Sequence, residues 1–185
     1  VSFKLGKDEL TNLTVSVQGL GSVGYELCRL LHQAGANLIV TDINRDAMHQ
    51  AALEFGATLV DLDEIYAQEV DVYAPCALGA TINDQTLAVL KTKIIAGCAN
   101  NQLADNSFDL KLHNSNILYA PDYVINAGGI INISFEDNYD ISDATNKVEE
   151  IYHTLTHVFY EAKKQGKPTG EIADEIARHI IATGK

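Results

Sequence analysis

Residues 15–24, V-S-V-Q-G-L-G-S-V-G, limit the folds open to this chain more than any other stretch, because they combine a strand, a G-x-G-x-x-G turn and a helix start. In this pattern Gly19 permits a tight turn, Gly21 leaves room for a pyrophosphate, and Gly24 lets the helix pack closely on the strand. The N–H groups at the start of that helix hold phosphate oxygens. Asp42 ends the next predicted strand, at the spacing where a carboxylate accepts hydrogen bonds from an adenosine ribose. The stretch therefore predicts a dinucleotide site.

Short apolar runs alternate with helix-like stretches up to residue 120. Four of the apolar runs are almost continuous, as expected for strands that helices cover on both faces of a parallel sheet. The pattern predicts an α/β fold, namely a Rossmann-type doubly wound, mostly parallel sheet with C-terminal helices. The predicted strands are residues 14–18, 37–41, 70–74, 93–97 and 116–120, and the predicted helices are residues 23–34, 45–55, 82–91 and, as one short helix more, 61–68.

Two amphipathic helices are predicted in the C-terminal part. Ser142 is expected to be the N-cap of a long helix that reaches about Gln165 and is stopped by Gly166. A second amphipathic stretch covers residues 170–180. The long helix packs by one apolar stripe, made of Val148, Ile151, Tyr152, Leu155, Val158, Phe159 and Ala162.

The charge balance excludes several classes of function. The chain has 185 residues, enough for one domain, and 13 Lys+Arg against 25 Asp+Glu give a net charge of -12. This charge excludes a sequence-independent grip on nucleic-acid phosphates and docking on an anionic membrane. No apolar run is long enough for a transmembrane helix, and residues 1–10 do not resemble a signal peptide. The odd number of cysteines, Cys28, Cys76 and Cys98, is typical of a reduced cytoplasmic protein, and we expect buried thiols.

Asp42 also bears on the choice of dinucleotide. A carboxylate at this position repels a 2′-phosphate, so the sequence favours NAD over NADP. Arg45 follows three residues later and is able in principle to pair with that phosphate, which leaves NADP open.

Three segments rich in small residues follow predicted strands, where ligands bind in open parallel sheets. They are residues 74–80, 96–102 and 120–133. Asn100 or Asn101 has both the donor and the acceptor that a carboxamide needs, although either residue also suits an ordinary turn.

Four motifs in these segments occur in one order: Q-G-L-G-S-V-G, A-P-C-A-L-G-A, A-G-C-A-N-N-Q-L and A-P-D-Y-V-I-N-A-G-G. Together they resemble the C-terminal NAD-binding domain of the leucine dehydrogenase group, within the glutamate/leucine/phenylalanine/valine dehydrogenase family, over about residues 13–167. The resemblance implies oxidative deamination of leucine or another branched-chain L-amino acid to the 2-oxo acid and ammonia, with reduction of NAD.

The resemblance also implies roles for the matching residues. The glycine turn would hold the pyrophosphate, with Asp42 on the adenosine ribose and Ile43 beside the adenine. Cys76 and Ala77 would line the nicotinamide ribose, and an alanine and two asparagines would fix the carboxamide. The implied cofactor-binding set is Gly19, Leu20, Gly21, Ser22, Val23, Gly24, Asp42, Ile43, Cys76, Ala77, Ala99, Asn100 and Asn126.

Asn100, Ile130 and Ile133 are the implied substrate-binding residues. Asn100 would lie near the substrate amino group, and the two isoleucines would line the side-chain pocket. Glutamate-specific relatives have a hydroxyl at the position of Ile133. Two apolar residues favour an aliphatic substrate, because a polar group that faced them would be left unpaired.

The chain departs from the family at its beginning, where only 18 residues precede Gly19. Relatives carry there a whole domain with the catalytic lysines and aspartate, so no catalytic residue is predicted in this chain, and the chain alone is expected to be inactive. Lys4 and Lys7 lie in a polar stretch without an apolar setting and are not predicted as catalytic amines. We expect residues 1–141 to form the dinucleotide-binding domain. Residues 142–185 are expected to form helices that pack on it and toward the N-terminal catalytic domain.

Several alternatives remain beside this interpretation. The chain also fits a non-catalytic nucleotide-binding or sensing module, an NADP-linked relative, or a relative of the phenylalanine or valine type. No metal site is predicted, because His153 and His157 lack the Glu of H-E-x-x-H and lie on the polar side of their helix. The expected partners are a small amino-acid substrate and, at full length, further copies of the same protein.

Overall fold

A computed structural model describes residues 1–135 and 140–184. Within them, six parallel strands form one sheet in the order β3-β2-β1-β4-β5-β6. Strands β1, β2 and β3 follow one another toward one edge of the sheet, and β4 pairs with the other side of β1. In this class of fold, ligands bind in the crevice at the carboxyl ends of the strands where the strand order reverses, here β1 and β4. The strands are β1 Thr14–Gln18, β2 Asn37–Thr41, β3 Thr58–Leu59, β4 Val70–Pro75, β5 Thr92–Ile95 and β6 Leu118–Tyr119.

Helices cover both faces of the sheet, as the almost continuous apolar strands predict. Along β4, Val72 and Ala74 point into one core with residues of two helices, whereas Tyr73 points into the core on the other face. The described residues form the helices α1 Ser2–Leu5, α2 Ser22–Gln33, α3 Arg45–Phe55, α4 Asp84–Leu87, α5 Ser107–Asn114, α6 Asp122–Ile125, α7 Gly128–Ile133, α8 Ile141–Gln165 and α9 Thr169–Thr183. None of the helices in this described part is long and apolar enough to cross a membrane.

The predicted α/β class is confirmed, and β1, β2 and α3 have the predicted bounds. Two strands are shorter than predicted. β5 ends at Ile95 instead of residue 97, because the backbone at Gly97 turns and packs against Pro75. β6 covers two residues instead of five, since Asn116 adopts a φ of 58° in the turn that precedes it.

Other helices also differ from their predicted bounds. α4 has four residues instead of ten, because Ile82 forms a β-bridge with Leu103 and Asn83 caps the helix after it. Residues 61–68 contain only a 3-10 helix, Ile65–Ala67. α5 was not predicted, although it places the buried Phe108 on the sheet.

The C-terminal helices pack on each other and on the sheet. They bury a cluster of Val158, Ala162, Ile172 and Ala173. Asp140 is the N-cap of α8, so the prediction of Ser142 was wrong: the Asp140 carboxylate accepts hydrogen bonds from the N–H groups of Ser142 and Asp143. The stripe is also narrower than predicted, since Tyr152 lies in solvent.

Candidate functional site

The loops after β1 and β4 meet at the carboxyl end of the sheet. Gly19 has a φ of 104°, and a Cβ atom built on it would lie 2.7 Å from the Cβ atom of Ala77. The N–H group of Cys76 donates a hydrogen bond to the Gln18 carbonyl at 2.8 Å. Position 19 therefore excludes a side chain for two reasons, its backbone conformation and its contact with the second loop.

The other two glycines of the turn have the environments that the fingerprint predicts. A Cβ atom on Gly24 would lie 2.1 Å from the carbonyl oxygen of Gly19, so only glycine lets α2 pack this closely. A Cβ atom on Gly21 would have no neighbour within 4 Å, and Gly21 is itself the N-cap of α2. The start of α2 thus lacks a side-chain cap and faces open space, which fits a pyrophosphate held by backbone N–H groups.

Asp42 clamps the glycine turn from the end of β2. One carboxylate oxygen accepts the N–H group of Leu20 at 2.5 Å, and the other accepts the N–H group of Asn44 at 2.7 Å. Each carboxylate oxygen keeps acceptor capacity for a further hydrogen bond, such as one from a ribose hydroxyl. Ile43 is 85% exposed beside it, and Ser22 and Val23 are exposed at the start of α2.

The segment after β5 lies at the same carboxyl end of the sheet. The N–H group of Ala99 donates a hydrogen bond to the Pro75 carbonyl at 3.0 Å. The side-chain amide of Asn126, at the end of α6, donates to the amide oxygen of Asn100 at 2.6 Å. The structure therefore brings together the three segments that the sequence predicts as ligand loops.

Two buried residues that sequence reasoning missed hold this segment in place. Gln102 is fully buried, and its Nε2 atom donates to the carbonyl oxygens of Gly97 and Ala99 at 2.8 and 3.0 Å. The buried carboxylate of Asp122 accepts the backbone N–H group of Gln102 at 2.9 Å. Asp122 holds a backbone group 20 residues away, and Gln102 folds back on its own segment without forming a standard turn or cap, so neither position carried a recognisable signal.

Ile130 and Ile133 lie on α7, which begins two residues after Asn126. They are 71% and 60% exposed. Isoleucine side chains in solvent contribute little to folding, which is consistent with a surface that faces a ligand or another part of a larger protein.

Lys4 has a less polar environment than the sequence predicts. Its ammonium group donates to the backbone and side-chain oxygens of Asn116 at 2.7 Å and lines a 290 Å³ cavity with Phe3 and Phe159. Burial lowers the pKa of Lys4. None of the residues that line this cavity is a predicted site residue, so Lys4 lies outside the candidate site.

The histidine prediction is confirmed, since His153 and His157 are exposed. Across residues 1–135 and 140–184, no three His, Cys, Asp or Glu side chains are grouped closely enough to hold a metal ion.

The strand order, the parallel register and the glycine turn at the β1/β4 crevice define the Rossmann-type class of α/β proteins. Comparison with known proteins narrows this class. A profile of the family "Glutamate/Leucine/Phenylalanine/Valine dehydrogenase" matches residues 40–178, and the chain belongs to this family.

The similar proteins are amino-acid dehydrogenases. The chain is 51% identical to the leucine dehydrogenase of Bacillus subtilis (strain 168), over 95% of this chain and 49% of that protein. It is 44% identical to the L-tryptophan dehydrogenase of Nostoc punctiforme, over 95% of this chain and 50% of that protein. A crystal structure of the Nostoc punctiforme L-tryptophan dehydrogenase superposes with a TM-score of 0.96 at 43% identity, over 98% of this chain and 55% of that one. The chain thus spans about half the length of the curated relatives it matches.

Proposed function

We propose that this chain is the NAD-binding half of an L-amino-acid dehydrogenase that deaminates leucine or another branched-chain amino acid. One observation carries the proposal: the open N-cap at Gly21 and the carboxylate of Asp42 lie together at the glycine turn that follows β1. A pyrophosphate needs free backbone N–H groups, and a ribose diol needs a carboxylate acceptor beside them. Membership of the family implies a nicotinamide nucleotide cofactor.

Hydride transfer, carboxamide binding and proton transfer are assigned to different groups. When bound beside the three ligand loops, a nicotinamide nucleotide would supply the acceptor for the hydride of the substrate α-carbon. Asn100 and Asn126 form a hydrogen-bonded pair whose remaining donor and acceptor atoms suit a carboxamide. Residues 19–24, 76–80, 97–102 and 122–133 contain no lysine or histidine. Their one carboxylate, Asp122, is buried and accepts the N–H groups of Gln102 and Tyr123, so we assign the proton transfers to residues outside this chain.

The preference for NAD over NADP rests on two charges. The Asp42 carboxylate would repel a 2′-phosphate. The Arg45 guanidinium, which would have to pair with a 2′-phosphate, instead forms an ion pair with the Asp61 carboxylate at 2.8 Å. Both side chains of this pair are exposed, so the pair is weak, and Asp42 remains the main determinant.

The substrate preference rests on Ile130 and Ile133, which offer apolar surface to an aliphatic side chain. The similarity to L-tryptophan dehydrogenase makes an aromatic amino acid the second candidate. The complete protein is proposed to be a cytoplasmic homo-oligomer. The free cysteines support the compartment, and the adjacent exposed isoleucines Ile180 and Ile181 support the assembly.

Calorimetry with NADH and NADPH on the 185-residue chain tests the proposal. We expect NADH to bind more tightly than NADPH, and we expect no reduction of NAD when leucine is added. Absence of NADH binding at millimolar concentration would contradict the cofactor assignment, and turnover by this chain alone would contradict the assignment of the proton transfers.

Assays of the complete protein are needed to identify the substrate. Steady-state assays with leucine, valine, phenylalanine and tryptophan should give the highest kcat/KM with an aliphatic amino acid. A complete protein that binds NADH but reduces NAD with none of these amino acids would favour the non-catalytic nucleotide-binding module instead.

A further inference from the structure

Two of the three cysteines lie side by side at the carboxyl end of the sheet, where the cofactor is proposed to bind. Cys76 directly follows β4, and Cys98 comes three residues after the neighbouring β5. A Cβ atom on Gly97 would lie 2.2 Å from the Pro75 carbonyl oxygen, so the two loop backbones are in direct contact. The parallel register of β4 and β5 pairs Tyr73 with Ile95, and three residues further along in both segments it places Cys76 opposite Cys98. The two side chains are close enough for a hydrogen bond between the thiols.

Cys76 also lies against the first turn of α2. A Cβ atom on Gly24 would lie 3.1 Å from the Cβ atom of Cys76. The residues next in sequence, Ala77 and Ala99, belong to the proposed cofactor-binding set, and Ala77 is exposed. Of the three cysteines expected to be buried, Cys28 is buried, whereas Cys76 and Cys98 are half-buried residues.

The three thiols differ in reactivity. The Cys76 thiol donates a hydrogen bond to the Cys98 sulfur, which lowers the pKa of Cys98 to about 7 and raises the pKa of Cys76. Burial raises the pKa of Cys28 to about 12. Because the thiolate is the nucleophile, Cys98 is the reactive cysteine near neutral pH, and Cys28 is inert.

We propose that Cys76 and Cys98 form a vicinal dithiol that reacts with a hydroperoxide and closes to an intrachain disulfide, and that bound NADH shields it. The second half of this proposal rests on the proposed function, whereas the first half does not. The assignment is one of oxidative modification at a site formed by two loops of the fold.

The reaction balances in two steps. The Cys98 thiolate attacks one peroxide oxygen and the O–O bond breaks, which yields a sulfenic acid on Cys98 and hydroxide. The Cys76 sulfur then attacks the Cys98 sulfur, the S–O bond breaks, and the leaving hydroxide takes the Cys76 proton to become water. Overall two thiols lose two electrons and two protons, and one hydrogen peroxide becomes two waters.

The test is intact-mass spectrometry of the 185-residue chain treated with hydrogen peroxide near neutral pH, followed by peptide mapping without reduction. We expect the loss of two hydrogens and a cross-linked peptide that joins Cys76 to Cys98. The variant Cys28→Ser should behave as the unaltered protein does. Cys98→Ser should form no disulfide, and Cys76→Ser should stop at the sulfenic acid, which a dimedone probe traps.

Competing outcomes are distinct. The proposal is overturned if Cys28 reacts as fast as Cys98, or if mapping of the unaltered protein shows no link between Cys76 and Cys98. The mapping does not depend on how well the serine variants fold.

A second arm tests the shielding by NADH. Saturating NADH should slow the oxidation of Cys98 by about tenfold or more, because the thiolate must be accessible to react. If calorimetry shows NADH bound and the rate is unchanged, the placement of the dithiol beside the cofactor is overturned. If NADH does not bind, the proposed function fails, and the disulfide is judged on the mass data alone.

Discussion

Asp42 serves two purposes through one carboxylate. It accepts hydrogen bonds from the backbone N–H groups of Leu20 and Asn44, so it shapes the glycine turn before any ligand arrives. Hydrogen bonds to a charged acceptor contribute about 1.5–3 kcal/mol each. A residue of this kind determines both the conformation of the turn and the charge that a ribose meets.

Replacement of Asp42 by Ala should weaken NADH binding by about tenfold or more, and weaken NADPH binding far less, because the repulsion of the 2′-phosphate is removed together with the ribose contact. Asp42→Asn keeps one oxygen for a backbone N–H group and separates the charge from the shape of the turn. Calorimetry with both cofactors measures the effect. Asp46→Ala, an exposed carboxylate four residues on, is the matched control. Equal losses for NADH and NADPH in Asp42→Ala would contradict the ribose assignment.

Gln102 acts at the same scale in the loop after β5. Its Oε1 atom meets no donor in the described part of the chain, so the contribution of the side chain comes from its Nε2 atom. Gln102→Leu leaves the carbonyl groups of Gly97 and Ala99 without that donor in a buried place, and we expect a loss of about 1–3 kcal/mol of unfolding free energy.

Urea denaturation measures this loss, and calorimetry should show weaker NADH binding in the same variant, since Asn100 lies in the loop that Gln102 holds. Gln85→Leu, an exposed position on α4, serves as the control and should change neither quantity. An unchanged stability in Gln102→Leu would show that the loop holds its conformation without the amide.

At the scale of elements, α9 depends on a side chain from α5. Asp109 is buried, and its carboxylate accepts the N–H group of Glu171 at the start of α9 at 3.1 Å. A Cβ atom on Gly170 would lie 2.6 Å from the same carboxylate, so glycine is required for this approach. A carboxylate at a helix start interacts favourably with the helix dipole, but its burial costs free energy.

Burial raises the pKa of Asp109 above its usual value of 3.8. The folded state therefore holds this proton more tightly than the unfolded state does, and its contribution to stability falls as the pH rises from the unfolded pKa through the folded one. Asp109→Asn removes this dependence and keeps an oxygen for the Glu171 N–H group. As the pH rises through that range, the unfolding free energy of the unaltered protein should therefore fall relative to that of the variant. Urea denaturation at a series of pH values measures the difference.

Asp105→Asn provides the opposite control for this prediction. The pKa of Asp105 is lowered by its hydrogen bonds from Ser107. Ionised Asp105 stabilises the fold above its unfolded pKa. The unfolding free energy of the variant should therefore fall relative to that of the unaltered protein as the pH rises. If both variants change in the same direction, the burial of Asp109 is not the cause.

At the scale of the whole molecule, the apolar surface is divided between a packed core and exposed isoleucines. Ile172 is 1% exposed in the cluster between α8 and α9, whereas Ile133 is 60% exposed. The first stabilises this chain, and the second is proposed to serve a substrate. The two can be separated by mutation.

Ile172→Ala should cost about 2–5 kcal/mol of unfolding free energy, because it leaves a cavity in the core. Ile133→Ser should change the unfolding free energy by less than about 0.5 kcal/mol and leave NADH binding unchanged. In the complete protein it should lower kcat/KM for leucine. A large loss of stability in Ile133→Ser would place this side chain in the core instead of in a substrate pocket.

Local signals in the sequence were enough for the α/β class, for the exact bounds of β1, β2 and α3, and for the loops that converge at the crevice. The G-x-G-x-x-G turn demands a positive φ at Gly19 and a close contact at Gly24, and both requirements concern residues near in sequence. Apolar strands demand helices on both faces. Such constraints act over a few residues, and a linear pattern records them.

Distant contacts decided the rest. α4 is short because Ile82 bridges to Leu103, and β5 ends early because Gly97 packs on Pro75. Strand order decides which loops are neighbours, and with it the hydrogen bond between Gln102 and Asp122 and the pairing of Cys76 with Cys98. The energy of a buried hydrogen bond or close packing depends on the partner in space, and that partner is not written beside the residue in the chain.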